Sequence, residues 1–292
     1  MTQENAGASA VSEPGDAEKP EGLPQAIPVS HVPGRFLVWF TVLVAALSLF
    51  APIASSGIWD PPEREVAELS RRIALNLLGG HGLGVEGANN EVPTRGEIGR
   101  GELPFTSIAL GFRAFGLHEW AGRLPLGLWG LLGLGATYVL VRRLSDRRSA
   151  LFAVLVLATM PLYFLHARTM LGDIVTMAAL ALALAGLGLA VFERGTAEPG
   201  ASRFLALGAG VLGVSCALLS RGVLVGVALP AFSVGVAWLV LAAAGVTPRE
   251  GFGDSVGALN LAVGLLSGVL GCRALYHAPD TAGQFTLGWA AL

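Results

Sequence analysis

Four short groups of ionisable residues stand at the edges of long apolar runs, where chemistry at a membrane surface would have to occur. Trp59-Asp60-Pro61-Pro62-Glu63 places two acids at the exit of the first run. A carboxylate half out of water holds its proton more tightly and suits a general base, although Asp60 or Glu63 could simply cap the helix that follows Pro61-Pro62. Gly99-Arg100-Gly101-Glu102 offers a guanidinium and an acid on a backbone that a ligand can approach closely; such a loop is also plainly solvated when nothing binds it. Arg168 and Asp173 bracket the start of another run, and Asp173 either caps that helix or serves a ligand hydroxyl or a neighbouring group. Arg221 is isolated between Phe204–Leu219 and Val223–Val240. A guanidinium at that depth calls for an anion to offset its desolvation, with a lipid phosphate the natural candidate; otherwise it snorkels to the headgroup zone.

No metal ligands are assigned. His81, His118 and His166 have no partner at ligand spacing, and Cys216 and Cys272 lie singly in apolar text as expected buried small side chains. A divalent ion is compatible with a cluster of acids but no spacing supports one, and no organic cofactor is implied. A net charge of −2 argues against nucleic acid as a partner.

The elements that must carry these residues are membrane helices. Only 14% of the 292 residues are charged, 53% are hydrophobic and the mean hydropathy is +0.63, so lipid has to solvate most of the chain. Seven apolar runs, at 36–57, 119–141, 149–165, 173–192, 203–220, 222–244 and 256–276, are each about long enough to cross ~30 Å of hydrocarbon, the third only with local thinning. Residues 1–34, rich in Glu, Pro, Ala and Ser, read as a disordered cytoplasmic tail, and 35–292 as the transmembrane domain with a first outer loop at 58–118.

Charge sets the orientation. Arg142, Arg143, Arg147 and Arg148 crowd one short loop, which should be cytoplasmic, and alternation brings Arg35, the 193–203 loop and the Arg249 loop to the same side. The opposite, outer side receives 58–103, where eight acids against five arginines leave −3, together with 166–173, the turn at 220–222 and 277–280. All four chemical groups therefore converge on one face. Within the outer loop, Val66, Ala67, Leu69, Ile73 and Leu77 form a helical stripe with charges opposite, ended by Gly79-Gly80, and 104–115 is too short to span and reads as a second interfacial helix. Two such helices would roof the bundle.

In order and type, these features resemble the protein-mannosyltransferase and aminoarabinose-transferase group of GT-C membrane glycosyltransferases. Trp59-Asp60-Pro61-Pro62-Glu63 with Val66-Ala67-Glu68-Leu69-Ser70-Arg71 is similar to that family's first outer-loop motif, and Glu102-Leu103-Pro104 to its E-K-P-P stretch. Phe115-Gly116 through Ala121-Gly122-Arg123-Leu124-Pro125, Ala167-Arg168 through Asp173, and Ser220-Arg221-Gly222 through Leu229-Pro230 resemble three further motifs, over about 170 residues in all. The resemblance implies a glycosyltransferase that moves a sugar from a polyprenyl-phosphate donor to a glycolipid or protein acceptor at the outer face of a bacterial inner membrane. It gives Asp60 and Glu63 the candidate base position, leaves open which of them takes the proton, makes Asp173 the second acid and Arg221 the phosphate-facing cation, and adds Arg100, Glu102 and Arg168 as substrate contacts. Leu103 stands where the family has lysine, with Arg100 a substitute cation, and Val66 where it has tyrosine. Members continue past this length, so a truncated N-terminal portion is expected. The rival reading is a non-catalytic relative that binds lipid or a membrane partner.

Overall fold

A computed structural model describes residues 34–51, 57, 62–77, 84, 87–99, 101–193, 200–246 and 251–277. The tail read at 1–34 lies almost wholly outside the described residues. The described residues form helices and no strands: α1 (Gly34–Phe50), α2 (Pro62–Asn76), α3 (Arg95–Ile98), α4 (Glu102–Phe115), α5 (Glu119–Leu144), α6 (Arg147–Thr159), α7 (Pro161–Arg168), α8 (Asp173–Phe192), α9 (Ala201–Val223), a π-helical segment Leu224–Ala228, α10 (Leu229–Ala243) and α11 (Phe252–His277). Among the described residues, four helical stretches are long and apolar enough to cross a membrane: Glu119–Leu144, Asp173–Phe192, Ala201–Ala243 and Phe252–Arg273. This is a multi-pass membrane protein.

Two stretches depart from the simple spans. The run expected at 149–165 is broken: α6 and α7 meet at a 63° bend, because Pro161 cannot donate to the helix ladder and Met160 before it is extended (φ −66, ψ 122). Ala201–Ala243 is instead two antiparallel pieces. Gly222 has φ 79 and ψ −174, and a Cβ built on Gly226 would lie 2.3 Å from the Leu218 backbone nitrogen. Eight residues of straight helix would separate them by ~12 Å, so the chain doubles back at the turn expected from Ser220-Arg221-Gly222.

Small residues let the helices meet backbone to backbone, as helices in lipid do. α8 runs antiparallel to α9, with a Cβ on Gly186 falling 2.1 Å from the Gly210 nitrogen and one on Gly213 2.3 Å from the Ala183 nitrogen. Gly186→Leu should force this pair apart and cost roughly 3 kcal/mol or more of stability, the scale of severe overpacking; a melting temperature within about 2 °C of the parent in detergent would contradict the packing. The cysteines differ from expectation, since Cys272 is exposed and Cys216 half-buried.

The first loop packs as a layer. α2 turns Val66, Leu69 and the fully buried Ala74 toward α4, and α4 buries Phe105, Ile108 and Phe112 between α2 and α5. On the charged face of α2, Arg71 and Arg72 are buried as well, while Arg64 and Glu65 stay exposed. Arg71 donates to Glu68, to Asn90 Oδ1 and to the Asn89 carbonyl, while Arg72 donates to the Glu91 carbonyl (2.7 Å) and to the Glu97 carboxylate. Glu97 also accepts from Thr94 N–H (2.7 Å) and returns its own N–H to Thr94 Oγ1, a reciprocal cap on α3. The Arg71 guanidinium holds the Glu68 carboxyl below the usual carboxylate range. Two arginines thus cross-link α2 to the described residues 89–97 of this loop.

Candidate functional site

The parity argument has a direct counterpart in contacts. At one end of the bundle Arg143 pairs with Glu193 (2.6 Å) and Arg203 donates to the Glu193 carbonyl, tying α5, α8 and α9. At the other end the first loop, the α7–α8 connection and the α9–α10 turn meet. Gly172 takes a left-handed conformation (φ 81) and a Cβ there would lie 2.6 Å from Pro104 Cβ, so the start of α4 presses on the connection just ahead of α8. Gly101 N–H donates to the Ser220 carbonyl (3.2 Å), which pins the residue before Glu102 to the residue before Arg221.

Asp173 opens α8 and Arg221 closes the helical part of α9, and their side chains form an ion pair. Arg221 is 39% exposed and Asp173 24%, so the pair sits at a mouth, not in the core. His166 points its Nδ1 at the other Asp173 oxygen from 3.6 Å, and that nitrogen is buried without a hydrogen bond. Beneath the pair, Thr176 and Ser220 share a buried hydrogen bond that fixes the register of α8 against α9.

A second charged cluster lies alongside and is wholly buried. Glu63 is 0% exposed; Arg123 Nε donates to its Oε1 (3.1 Å) and Nη2 to its Oε2 (3.2 Å), and Met170 N–H donates to Oε1 (2.7 Å). Arg123 Nη2 also donates to the Gly57 carbonyl (3.1 Å). One guanidinium therefore fastens both flanks of the 57–63 segment to α5, and Glu63 fastens them to the connection that leads into Asp173.

The residues expected at the site are thus distributed as follows. Asp173 and Arg221 touch, Glu63 is joined to their connecting segment, and Glu102 opens α4 on the exposed surface beside the Ser220 turn. Asp60 and Arg100 lie outside the described residues. Arg168 is turned elsewhere: it donates to the Ser48 (2.6 Å) and Leu47 (3.2 Å) carbonyls at the end of α1 and stacks over the Phe164 ring (3.6 Å). There it supplies side-chain donors to carbonyls in the last turn of α1, where the Leu47 carbonyl also accepts from the Ala51 N–H. Among the described residues no three His, Cys, Asp or Glu side chains are grouped to hold a metal.

Sequence reasoning gave Arg123 no role of its own beyond a motif position, and found no partner for His166. A charge in the apolar text Trp120-Ala121-Gly122-Arg123-Leu124 signals that some counter-ion must exist, but its partner is sixty positions away. Chemically, the arrangement offers a guanidinium at a mouth for an anion, an acid beside it, and a buried ion pair that ties Gly57, Glu63 and Met170 to α5.

Comparison with known proteins bears on the same segment. The model of the family described as dolichyl-phosphate-mannose-protein mannosyltransferase matches residues 103–265. The crystal structure of ArnT from Cupriavidus metallidurans bound to undecaprenyl phosphate has a TM-score of 0.60 and 23% identity, covering 86% of this chain and 44% of that one. The apo form of the same protein gives 0.57 and 22%, covering 85% and 43%. The chain spans less than half the length of those structures, and no curated protein matches it. The fold is the GT-C type expected from the motifs.

Proposed function

The chain belongs to the dolichyl-phosphate-mannose-protein mannosyltransferase family, and from that membership we propose that it serves as a GT-C glycosyltransferase with a polyprenyl-phosphate sugar as donor. The acceptor is a glycolipid or protein at the outer face of a bacterial inner membrane, with the N-terminus cytoplasmic. The single observation that carries this reading is the Asp173–Arg221 pair at the tip of the α9–α10 hairpin, held beside the first loop by Gly101 and Gly172. The undecaprenyl phosphate bound to the ArnT neighbour supports a lipid of the same chemistry here.

The reaction is a single displacement. An acceptor oxygen bonds to the anomeric carbon, the bond from that carbon to the phosphate oxygen breaks, and the polyprenyl phosphate leaves with the electron pair. Arg221, with Arg100 in place of the lysine replaced by Leu103, offsets the phosphate charge, while Glu102 and Asp173 bind substrate hydroxyls or position the cation. The acceptor proton goes to an acid. Both Glu63 oxygens already accept from Arg123 and Met170, so the base role falls to Asp60. No organic cofactor enters.

Transfer from labelled polyprenyl-phosphate sugar in membranes tests this. Asp60→Asn should slow transfer by about 10²-fold or more; a rate within about two-fold of the parent ends the assignment of the base. The second reading, a non-catalytic lipid-binding relative, is favoured by Leu103 alone and would show as undecaprenyl phosphate binding without transfer.

A further inference from the structure

We propose that the groove over α8, between α5 and α9, binds an anionic phospholipid of the cytoplasmic leaflet, with an acyl chain along the groove and the phosphate at Arg143. The groove encloses about 710 Å³ and ends at the Arg143–Glu193 pair, at the opposite end of α8 from the Asp173–Arg221 pair. Of the function proposed above, the inference uses only the orientation of the helices and none of the donor chemistry.

Small residues shape the groove. α5 and α9 each pack closely on α8 and hardly on each other, so a trough is left above α8. Ala185 and Gly186 form its floor. Leu132, Gly135 and Val139 of α5 form one wall at helical spacing, and Leu205 of α9, 74% exposed, stands opposite. A Cβ built on Gly135 meets no atom within 4 Å, so this wall opens onto empty space. α8 lines the trough from Leu182 to Glu193, ~16 Å of helix, which is about one leaflet of a ~30 Å hydrocarbon core. Apolar space of that length, open to the bilayer, suits the acyl chain of an ordinary phospholipid; an undecaprenyl chain, far longer, would overrun it.

Charge identifies the head. The apolar lining stops at Arg143, Glu193 and Ser202. Arg143 Nη1 donates to Glu193 Oε1 (2.6 Å), yet the arginine side chain stays 54% exposed, and among the described residues its Nε and Nη2 make no bond. Those donors and the Ser202 hydroxyl stand where a phosphate would emerge from the groove. The adjoining residues 142–148 hold four arginines against Asp146, a sum of +3, and Asp146 is occupied in capping α6. A trough that is apolar along its length and cationic at its rim complements an amphiphile with a negative head.

The test equilibrates the full chain in detergent with phosphatidylglycerol or phosphatidylcholine of the same acyl chains and measures bound lipid by native mass spectrometry. The parent should bind phosphatidylglycerol about five- to ten-fold more tightly, the scale of one or two arginines at a lipid surface. Gly135→Leu fills the trough and should weaken both lipids about ten-fold or more, with the lipid-free melting temperature close to the parent's. Leu205→Gln, at an exposed position that carries little packing, should weaken both in the same direction. Arg143→Gln with Glu193→Gln leaves the net charge of this end unchanged. It should bring the two lipids within about two-fold of each other, which loss from a diffuse positive field would not do. Equal binding of the two lipids by the parent overturns the head-group assignment. Parent-like binding in both Gly135→Leu and Leu205→Gln overturns the groove, as does displacement of phosphatidylglycerol by undecaprenyl phosphate at equal concentration.

Discussion

Arg123→Met should remove about 3–5 kcal/mol of stability, the cost of stranding one member of a buried ion pair. The argument rests on burial more than on attraction. Arg123 and Glu63 are each only 1% exposed at their side chains, so neither charge can turn to water when its partner is lost. Arg123 also holds the Gly57 carbonyl, and Glu63 holds Met170 N–H, so four separate stretches of chain lose their common anchor together. Thermal unfolding in detergent measures this directly. Glu63→Gln should destabilise in the same direction, while the double variant Glu63→Met with Arg123→Met should recover more than half of the loss, because an apolar pair leaves no charge behind. A double variant no more stable than either single one would show that the anchor works through its hydrogen bonds to Gly57 and Met170 and not through paired charge.

Arg221→Gln should lower transfer by about 10²- to 10³-fold, the range seen when a group facing developing charge is removed. The fold predicts that this loss is not a folding defect. Arg221 is 39% exposed at the tip of a hairpin whose register is set instead by Thr176 and Ser220 and by the glycine contacts lower in α8 and α9. The melting temperature of Arg221→Gln should therefore stay close to that of the parent, in contrast to Arg123→Met. Arg221→Lys should keep most of the activity, since a point charge suffices for a phosphate that needs no bidentate grip. Equal losses in the lysine and glutamine variants would show that the fork of the guanidinium matters, with Asp173 and the phosphate gripped at once.

The two arginines illustrate what could and could not be read from the chain. Arg221 was legible because its isolation between two apolar runs is a local property, and loop parity then placed it with Asp173 before any contact was known. The apolar helical class, the two helices of the first loop and the turn at Gly222 were legible for the same reason, each being a pattern of hydropathy or glycine within one or two dozen residues, whereas the bend at Pro161 that breaks the third expected run was not. Arg123 was visible only as a letter in a motif.

By itself the sequence determined the solvent, the helical class and the end of the bundle at which polar groups gather, because lipid penalises every exposed charge and every unpaired backbone group wherever they occur. Tertiary structure alone decided which charges are partners. It sent Arg168 to the carbonyls of α1, withdrew Glu63 into the core beside Arg123, set His166 against Asp173, and turned Arg71 and Arg72 into cross-links of the first loop. These pairings join residues far apart in the chain. Their energies depend on burial and on separations of about 3 Å, quantities fixed only once the helices have packed.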